Sequence, residues 1–237
     1  MAGHSKWANI QHRKKAQDNK RGKTFTKVIR EITVAAKMGG TDATSNSRLR
    51  LALSKANASN VPKDTVKRAI DKAAGQNNDN FEEITYEGYG PKGIAVVIEC
   101  LTDNKNRTVS DLRHVLSKHG GSLGTNGSVS HLFRKVGIMK LNSMTEDDLI
   151  EHMEIIELED FEMVDSGCII FTKPTELFNT KKYFESKSID VIEEEIIMDP
   201  LTTIDISNED FEKISDLSNK IEELDDVQNV YMNSNLS

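Results

Sequence analysis

The spacing of apolar residues is purely helical in the first third of this 237-residue chain and mixed after it, and that change limits the folds open to it. Before residue 76, Phe25, Val28, Ile29, Ile32, Ala35 and Ala36 recur every three or four positions, the period of one helical face. Gly39-Gly40 stops that helix. A polar linker, Thr41 to Ser47, leads to a second helix with Leu49, Ala52, Leu53 and Ala56 inside. After Ser59-Asn60-Val61 a third helix carries Val66, Ala69, Ile70 and Ala73, with Pro62 expected at its first position and Gly75 at its C-terminal cap. Beyond the polar stretch Gln76–Asn80 the period shortens to that of strands.

The second half reads in order. Strands over 81–86 and 94–100 flank the turn-rich Glu87–Gly93. A helix over Val109, Leu112, Leu116 and His119 ends at Gly120-Gly121, and a strand is expected over 128–134. From Val136 the pattern is strand (136–141), helix (145–157), strand (161–165), strand (168–173), helix (174–187) and strand (191–198), a complete βαββαβ unit. Thr145 with Asp148 forms a capping box, and Asp165-Ser166-Gly167 a tight turn. The tail supplies a short strand (202–206), a helix on Phe211, Ile214, Leu217, Ile221 and Leu224, and a strand (226–232). These are the pieces the incomplete ββαβ run lacks. The expected fold class is α+β, with an N-terminal all-α basic module followed by two ferredoxin-like α/β modules. The third module is inserted into a discontinuous second. The domains are then 1–80, 81–134 with 200–237, and 135–199.

Charge is divided along the same lines. The net charge is −7, yet residues 1–75 hold 17 Lys and Arg against 5 Asp and Glu, whereas residues 141–237 hold 6 against 26. Such asymmetry points to modules with different partners. Clustered Lys and Arg attract nucleic-acid phosphates, and counterion release supplies much of the binding free energy. The candidate contacts are Lys6, His12, Arg13, Lys14, Lys15, Lys20, Arg21, Lys23, Lys27 and Arg30, against the alternative of a solvated helical face. Trp7, the only tryptophan, either stacks on an unpaired base or anchors the N-terminal arm. Helices 46–58 and 62–74 have the spacing of a helix-turn-helix, which would place Lys63, Lys67 and Arg68 on the contact helix, or they are simply neighbours in a bundle. Arg107, in the polar stretch Asn104–Arg107 at a helix start, is a second phosphate contact or part of a cap. The Gly-rich run 120–127 follows a helix and precedes a strand, the reverse of a phosphate-binding loop, and reads as a connection.

Other function classes lack support. No apolar run reaches the roughly 18–20 residues of a membrane helix, and the basic N-terminus has no apolar stretch behind it, so neither membrane nor secretion is expected. Cys100 and Cys168 both lie in strand-like runs, excluding a disulfide framework or cysteine zinc site and fitting a reducing, cytoplasmic setting. The histidines have no metal-ligand spacing, since His114 and His119 are five apart, and no nucleophile or nucleotide fingerprint occurs. No enzyme, cofactor, metal or small-molecule substrate is expected.

Several stretches together resemble the YebC family. They are Met1–Ile10, His12–Asp18, Lys20–Lys23, Ile29–Ala36, Pro62–Asp64 with Arg68–Ile70, Tyr86–Pro91, Asp103–Val109, Gly124–Val129 and Asp225–Tyr231. The likeness is dense over 1–135 and sparse over 136–224. Ser47-Arg48-Leu49-Arg50 lacks the family's usual proline, and the linker Thr41-Asp42-Ala43 its glycine and proline. The resemblance implies three domains, helical first and α/β after, and a non-enzymatic regulator of gene expression. Its members look like DNA-binding transcriptional regulators and also like ribosome-associated translation factors. Duplex DNA and ribosomal RNA, or the ribosome itself, are therefore the expected partners, with a pure protein-interaction scaffold as the third reading.

Overall fold

The computed structural model describes residues 21–75 and 81–236. They fall into two compact units, one of Arg134–Asp199 and the other combining the described residues up to Phe133 with the tail from Pro200.

The second of these units opens with three helices, α1 (Arg21–Gly39), α2 (Ser47–Ala58) and α3 (Lys63–Ala74). Val28, Ile32, Ala35 and Ala36 of α1 pack with Leu49, Ala52 and Ala56 of α2 and Ala69 of α3. Alanine at most of these contacts lets the helix axes approach closely. Asn46 fixes the first corner. Its side chain accepts from Leu49 N at 3.0 Å and donates to the carbonyls of Ala35 and Gly40 at 2.8 and 2.7 Å. A Cβ on Gly39 would lie 2.7 Å from the Asn46 amide, and Gly40 has φ +86°, so both glycines are required by this corner. The linker that lacks the family's glycine and proline is ordered by Asp42, which accepts from Thr44 N at 2.8 Å. Pro62 is the N-cap of α3 and not its first residue. Its fixed φ of −58° suits either position, and its ψ of 134° places it outside the helix. Gly75 is the C-cap, in an extended conformation.

The same unit continues with β1 (Glu82–Tyr89), β2 (Ala95–Thr102), α4 (Lys105–Lys118) and β3 (Ser122–Leu123). The strand expected over 128–134 is not formed. Ser130–Leu132 is a 3-10 turn, and the strand β4 (Phe133–Asn142) that follows belongs to the other sheet. The amides of Val129 and Ser130, which a strand would give to a neighbour, both donate to the Glu87 carboxylate at 2.7 Å. The edge strand is instead β3, inside the run expected to be loop, pairing with Gly88 and Tyr89. The inserted unit follows β4 with α5 (Glu146–Met153), β5 (Asp160–Val164), β6 (Gly167–Thr172), α6 (Leu177–Ser186) and β7 (Val191–Pro200). The tail then supplies β8 (Ile204–Ile206), α7 (Asn208–Glu222), β9 (Val227–Met232) and β10 (Ser234–Leu236).

Strand β9 pairs antiparallel with β2, giving the order β3-β1-β2-β9. Val96, Ile98 and Cys100 of β2 pack against Leu112 and Leu116 of α4 and Leu217 and Ile221 of α7, so both helices cover one face. A register shift at Glu99/Cys100 explains why Val227 and Val230, three apart, both point into this core. Strand β10, absent from the sequence reading, pairs parallel with β8.

In the inserted unit the sheet order is β5-β6-β4-β7. Asn142, ending β4, donates to Asp190 just before β7, and Arg134, opening β4, meets Asp199 near the end of β7. The two strands are therefore antiparallel, as the ferredoxin-like βαββαβ arrangement requires. The Thr145–Asp148 capping box starts α5, which stops at Met153 instead of running to 157.

Candidate nucleic-acid interface

Lys6, Trp7, His12, Arg13, Lys14, Lys15 and Lys20 lie outside the described residues. Arg21 and Lys23 fall in the first turns of α1, and their side chains are likewise outside the description. The remaining candidates separate into two groups.

Lys63, Lys67 and Arg68 form the first. Their helix turns Val66, Ala69, Ile70 and Ala73 toward the three-helix core, which leaves all three cations exposed. Arg68 stays close to its own helix, with Nε 3.3 Å from Asp64 O and Nη2 3.2 Å from Thr65 Oγ1.

Lys27, Arg30 and Arg107 form the second group, and all three are engaged internally. Lys27 Nζ donates to Glu222 O at the C-terminal end of α7, 2.8 Å away. Arg30 Nη1 donates to Leu101 O at 2.9 Å, Asp225 O at 2.7 Å and Asp226 Oδ1 at 3.1 Å. The Arg30 guanidinium also lies 4.8 Å from the Phe81 ring centroid. Arg107 grips the same aspartate through Nη2 at 2.7 Å and Asp103 at 2.8 Å. The hydroxyls of Thr102 and Thr108 complete the shell of Asp226 at 3.2 and 2.8 Å. Burial raises the Asp226 carboxyl, but hydrogen bonds from Arg107 and Thr108 and the charge of Arg30 outweigh it and hold the group below its usual value. The polar segment before α4 is a cap, with Asn104 accepting from Arg107 N at 3.1 Å.

These residues line a cleft of about 480 Å³ in which Asp103, Asp111, Glu223, Asp225 and Asp226 face two guanidinium groups. Its balance is acidic, which disfavours a phosphate in this arrangement. A further cross-link runs from Arg48, whose guanidinium meets Glu31 Oε1 at 2.7 Å and also Glu83 of β1.

Sequence reasoning did not single out Asp226, Thr102, Thr108 or Glu87. One signal was present: Asp103–Val109 and Asp225–Tyr231 both belong to the family-like stretches, and the structure joins them at Asp226. The Gly-rich run does direct one backbone N–H, that of Gly127, at an anion, but that anion is the chain's own. Glu87, 7% exposed, accepts from Gly127 N at 2.8 Å as well as from Val129 and Ser130. Burial pushes the Glu87 carboxyl up, and the three backbone N–H groups bring it below its ordinary range. Among the described residues, no three His, Cys, Asp or Glu side chains gather as a metal site, and no helix is long and apolar enough to cross a membrane.

Comparison with known proteins accords with this architecture. A probable transcriptional regulatory protein of Idiomarina loihiensis is 47% identical over 240 residues, covering 100% of this chain and 96% of that protein. One of the same description from Nitrosococcus oceani is 48% identical, covering 100% and 97%. The crystal structure of a conserved hypothetical protein from Aquifex aeolicus superposes with a TM-score of 0.82 at 40% identity, over 92% of this chain and 91% of that one. Residues 5–76 match the TACO1/YebC protein N-terminal domain and residues 81–234 the TACO1/YebC second and third domain. The chain therefore belongs to the TACO1/YebC family.

Proposed function

We propose that this chain is a non-enzymatic regulator of gene expression that binds nucleic acid through its basic helical domain, with α3 as a contact helix. The observation carrying the reading is the division of the cations. Lys63, Lys67 and Arg68 face solvent on one helix, whereas Lys27, Arg30 and Arg107 have internal partners. The names of the relatives support transcription, hence duplex DNA. One observation favours the second reading, a ribosome-associated factor on ribosomal RNA. The exposed positions of α3 carry lysines, one arginine, Asp64 and Asp71 but no Asn or Gln, a set suited to phosphates more than to base edges. The acidic C-terminal third then suits a basic protein surface beside the nucleic acid. The protein acts in the cytoplasm without a cofactor.

The test is binding of the full chain to a duplex DNA and to a ribosomal RNA helix across a salt series. Replacing Lys63, Lys67 and Arg68 by Glu is expected to weaken binding and flatten the log–log salt slope by roughly 2.7, about 0.9 per duplex phosphate lost. An unchanged slope removes α3 from the interface. Sucrose-gradient fractionation with and without ribonuclease separates the two targets: ribosomal co-sedimentation supports the second, and sequence-selective duplex binding off the ribosome supports the first.

A further inference from the structure

At the contact between the helical domain and the α+β domain, three cations come from the helical side. Lys27, Arg30 and Arg48 are the donors, while Glu222 O, Asp225 O, Leu101 O, Asp226 and Glu83 are the acceptors. Arg107, the cation of the receiving surface that lines the same cleft as Arg30, is itself occupied by Asp226 and Asp103. The receiving surface therefore offers α1 what a nucleic-acid backbone offers, a cluster of acceptor oxygens with negative charge. The C-terminal carbonyls of α7 add to that charge through the helix dipole.

The two sides differ in how much they need each other. Asp226 is satisfied within its own domain by Thr102, Arg107 and Thr108, so departure of α1 leaves no orphaned carboxylate. The Glu222 carbonyl ends α7 and that of Asp225 lies in the turn just beyond it, where water is an adequate partner. Arg30 has no such reserve. Its side chain is 15% exposed, and the oxygens it donates to, Leu101 O, Asp225 O and Asp226 Oδ1, belong to the other domain. A group with these properties leaves only when another set of anionic oxygens replaces the first.

We propose that Lys27 and Arg30, three residues apart on one face of α1, form a latent phosphate-binding face occupied here by an internal mimic, the Asp226 carboxylate with the carbonyls of Glu222 at the end of α7 and Asp225 just beyond it. This rests on the nucleic-acid reading above and extends it. Phosphates of the bound nucleic acid displace the mimic, the helical domain separates from the α+β domain at this contact, and α1 joins α3 in the interface. The intramolecular competitor lowers affinity for isolated short phosphates and favours long, charge-dense nucleic acid. The Arg48–Glu83 pair acts as a second clasp outside the latent face.

The experiment uses the full chain with dyes on cysteines introduced at exposed Asn57 in α2 and Ser117 in α4. Cys100 and Cys168 are buried and remain unlabelled in the native protein. Energy transfer is followed while a 30-base-pair duplex DNA, and separately a transcribed ribosomal RNA helix, is titrated at low salt. The expected result is a fall in transfer on saturation by at least one of the two. Lys27→Gln with Arg30→Gln should flatten the binding salt slope by about 1.8, the share of two phosphates, an effect a purely structural role would not produce. Glu83→Gln, which loosens the clasp without touching the face, should raise affinity severalfold. If the chain binds with unchanged transfer and an unchanged slope in the double variant, the latent face is refuted and the α3 reading stands. If neither nucleic acid binds at any salt, both readings fall together.

Discussion

Replacing Glu87 by Gln tests whether a buried carboxylate organises the loop that a strand was expected to occupy. One oxygen takes Val129 N and Ser130 N at 2.7 Å each, and the other takes Gly127 N at 2.8 Å. Glutamine keeps the shape but not the function. In its better orientation the amide oxygen retains two bonds, now without charge, and the NH₂ faces the Gly127 amide, donor against donor. A hydrogen bond to a charged group contributes about 1.5–3 kcal/mol and a neutral one about 1, so demoting two and losing one costs about 3 kcal/mol. Tyr89 Oη still donates to Ser128 O at 3.0 Å, so the loop is loosened, not released. Amide hydrogen exchange at Val129 and Ser130 reads this locally. At about 1.4 kcal/mol per decade, exchange should quicken by roughly two decades. The pH dependence has a definite sign. The folded carboxyl titrates below its unfolded value of about 4.3, so its stabilisation is present above that value and is lost as pH falls through the folded one. Parent and variant should converge in acid. Less than threefold acceleration at neutral pH, or a difference that persists in acid, refutes the reasoning.

Further outcomes follow from other contacts. Asp226→Asn keeps the shape but loses the charge facing Arg30 and Arg107. Because Arg107 is 46% exposed and reaches water, the cost should be about 2 kcal/mol, below the 3–5 of a fully buried broken pair, read from urea midpoints. With the folded carboxyl held low, that difference should shrink as pH falls below the ordinary aspartate value of about 3.9. Gly121→Ala places a Cβ 2.5 Å from Tyr89 O, a backbone atom that cannot step aside, and should cost about 2 kcal/mol in thermal unfolding. Asn46→Ala removes a cap and strips Ala35 O and Gly40 O of their donor, for about 2 kcal/mol. The charge reversal at Lys63, Lys67 and Arg68 should leave stability within about 0.5 kcal/mol, because these side chains are exposed.

What the sequence disclosed and what it concealed have separate physical causes. The three helices and the βαββαβ unit were legible because each buries one face, and burial imprints a period on the apolar residues. The inserted arrangement was legible because a ββαβ run cannot close its own layer, so Leu217, Ile221, Val227 and Val230 had to return to it. The run 128–132 was not legible. Val129 and Leu132 read as strand residues, but the partner that took the Val129 and Ser130 amides lies some forty positions away, at Glu87. Nothing in local spacing announces a long-range acceptor. The site was hidden for a similar reason. Lys27 and Lys67 look alike in a sequence, and only the packing of α1 against the end of α7 sends one to a helix terminus and leaves the other in solvent.

Net charge therefore overstates what a domain offers a ligand and misplaces where it is offered. Three cations of the helical domain, Lys27, Arg30 and Arg48, are engaged by groups of the same chain, the two arginines by carboxylates. Much of the acidic third is similarly engaged: Glu194 pairs with Lys181 at 2.5 Å, Asp199 with Arg134, and Asp226 with Arg30 and Arg107. Lys63, Lys67 and Arg68 of α3, by contrast, are exposed to solvent. In the proposed reading, a phosphate backbone held by α3 brings further negative charge toward α1, and that charge competes with Asp226 for Arg30. On that proposal, binding at α3 and opening at α1 are coupled through a shared ligand without any change in the fold of either domain.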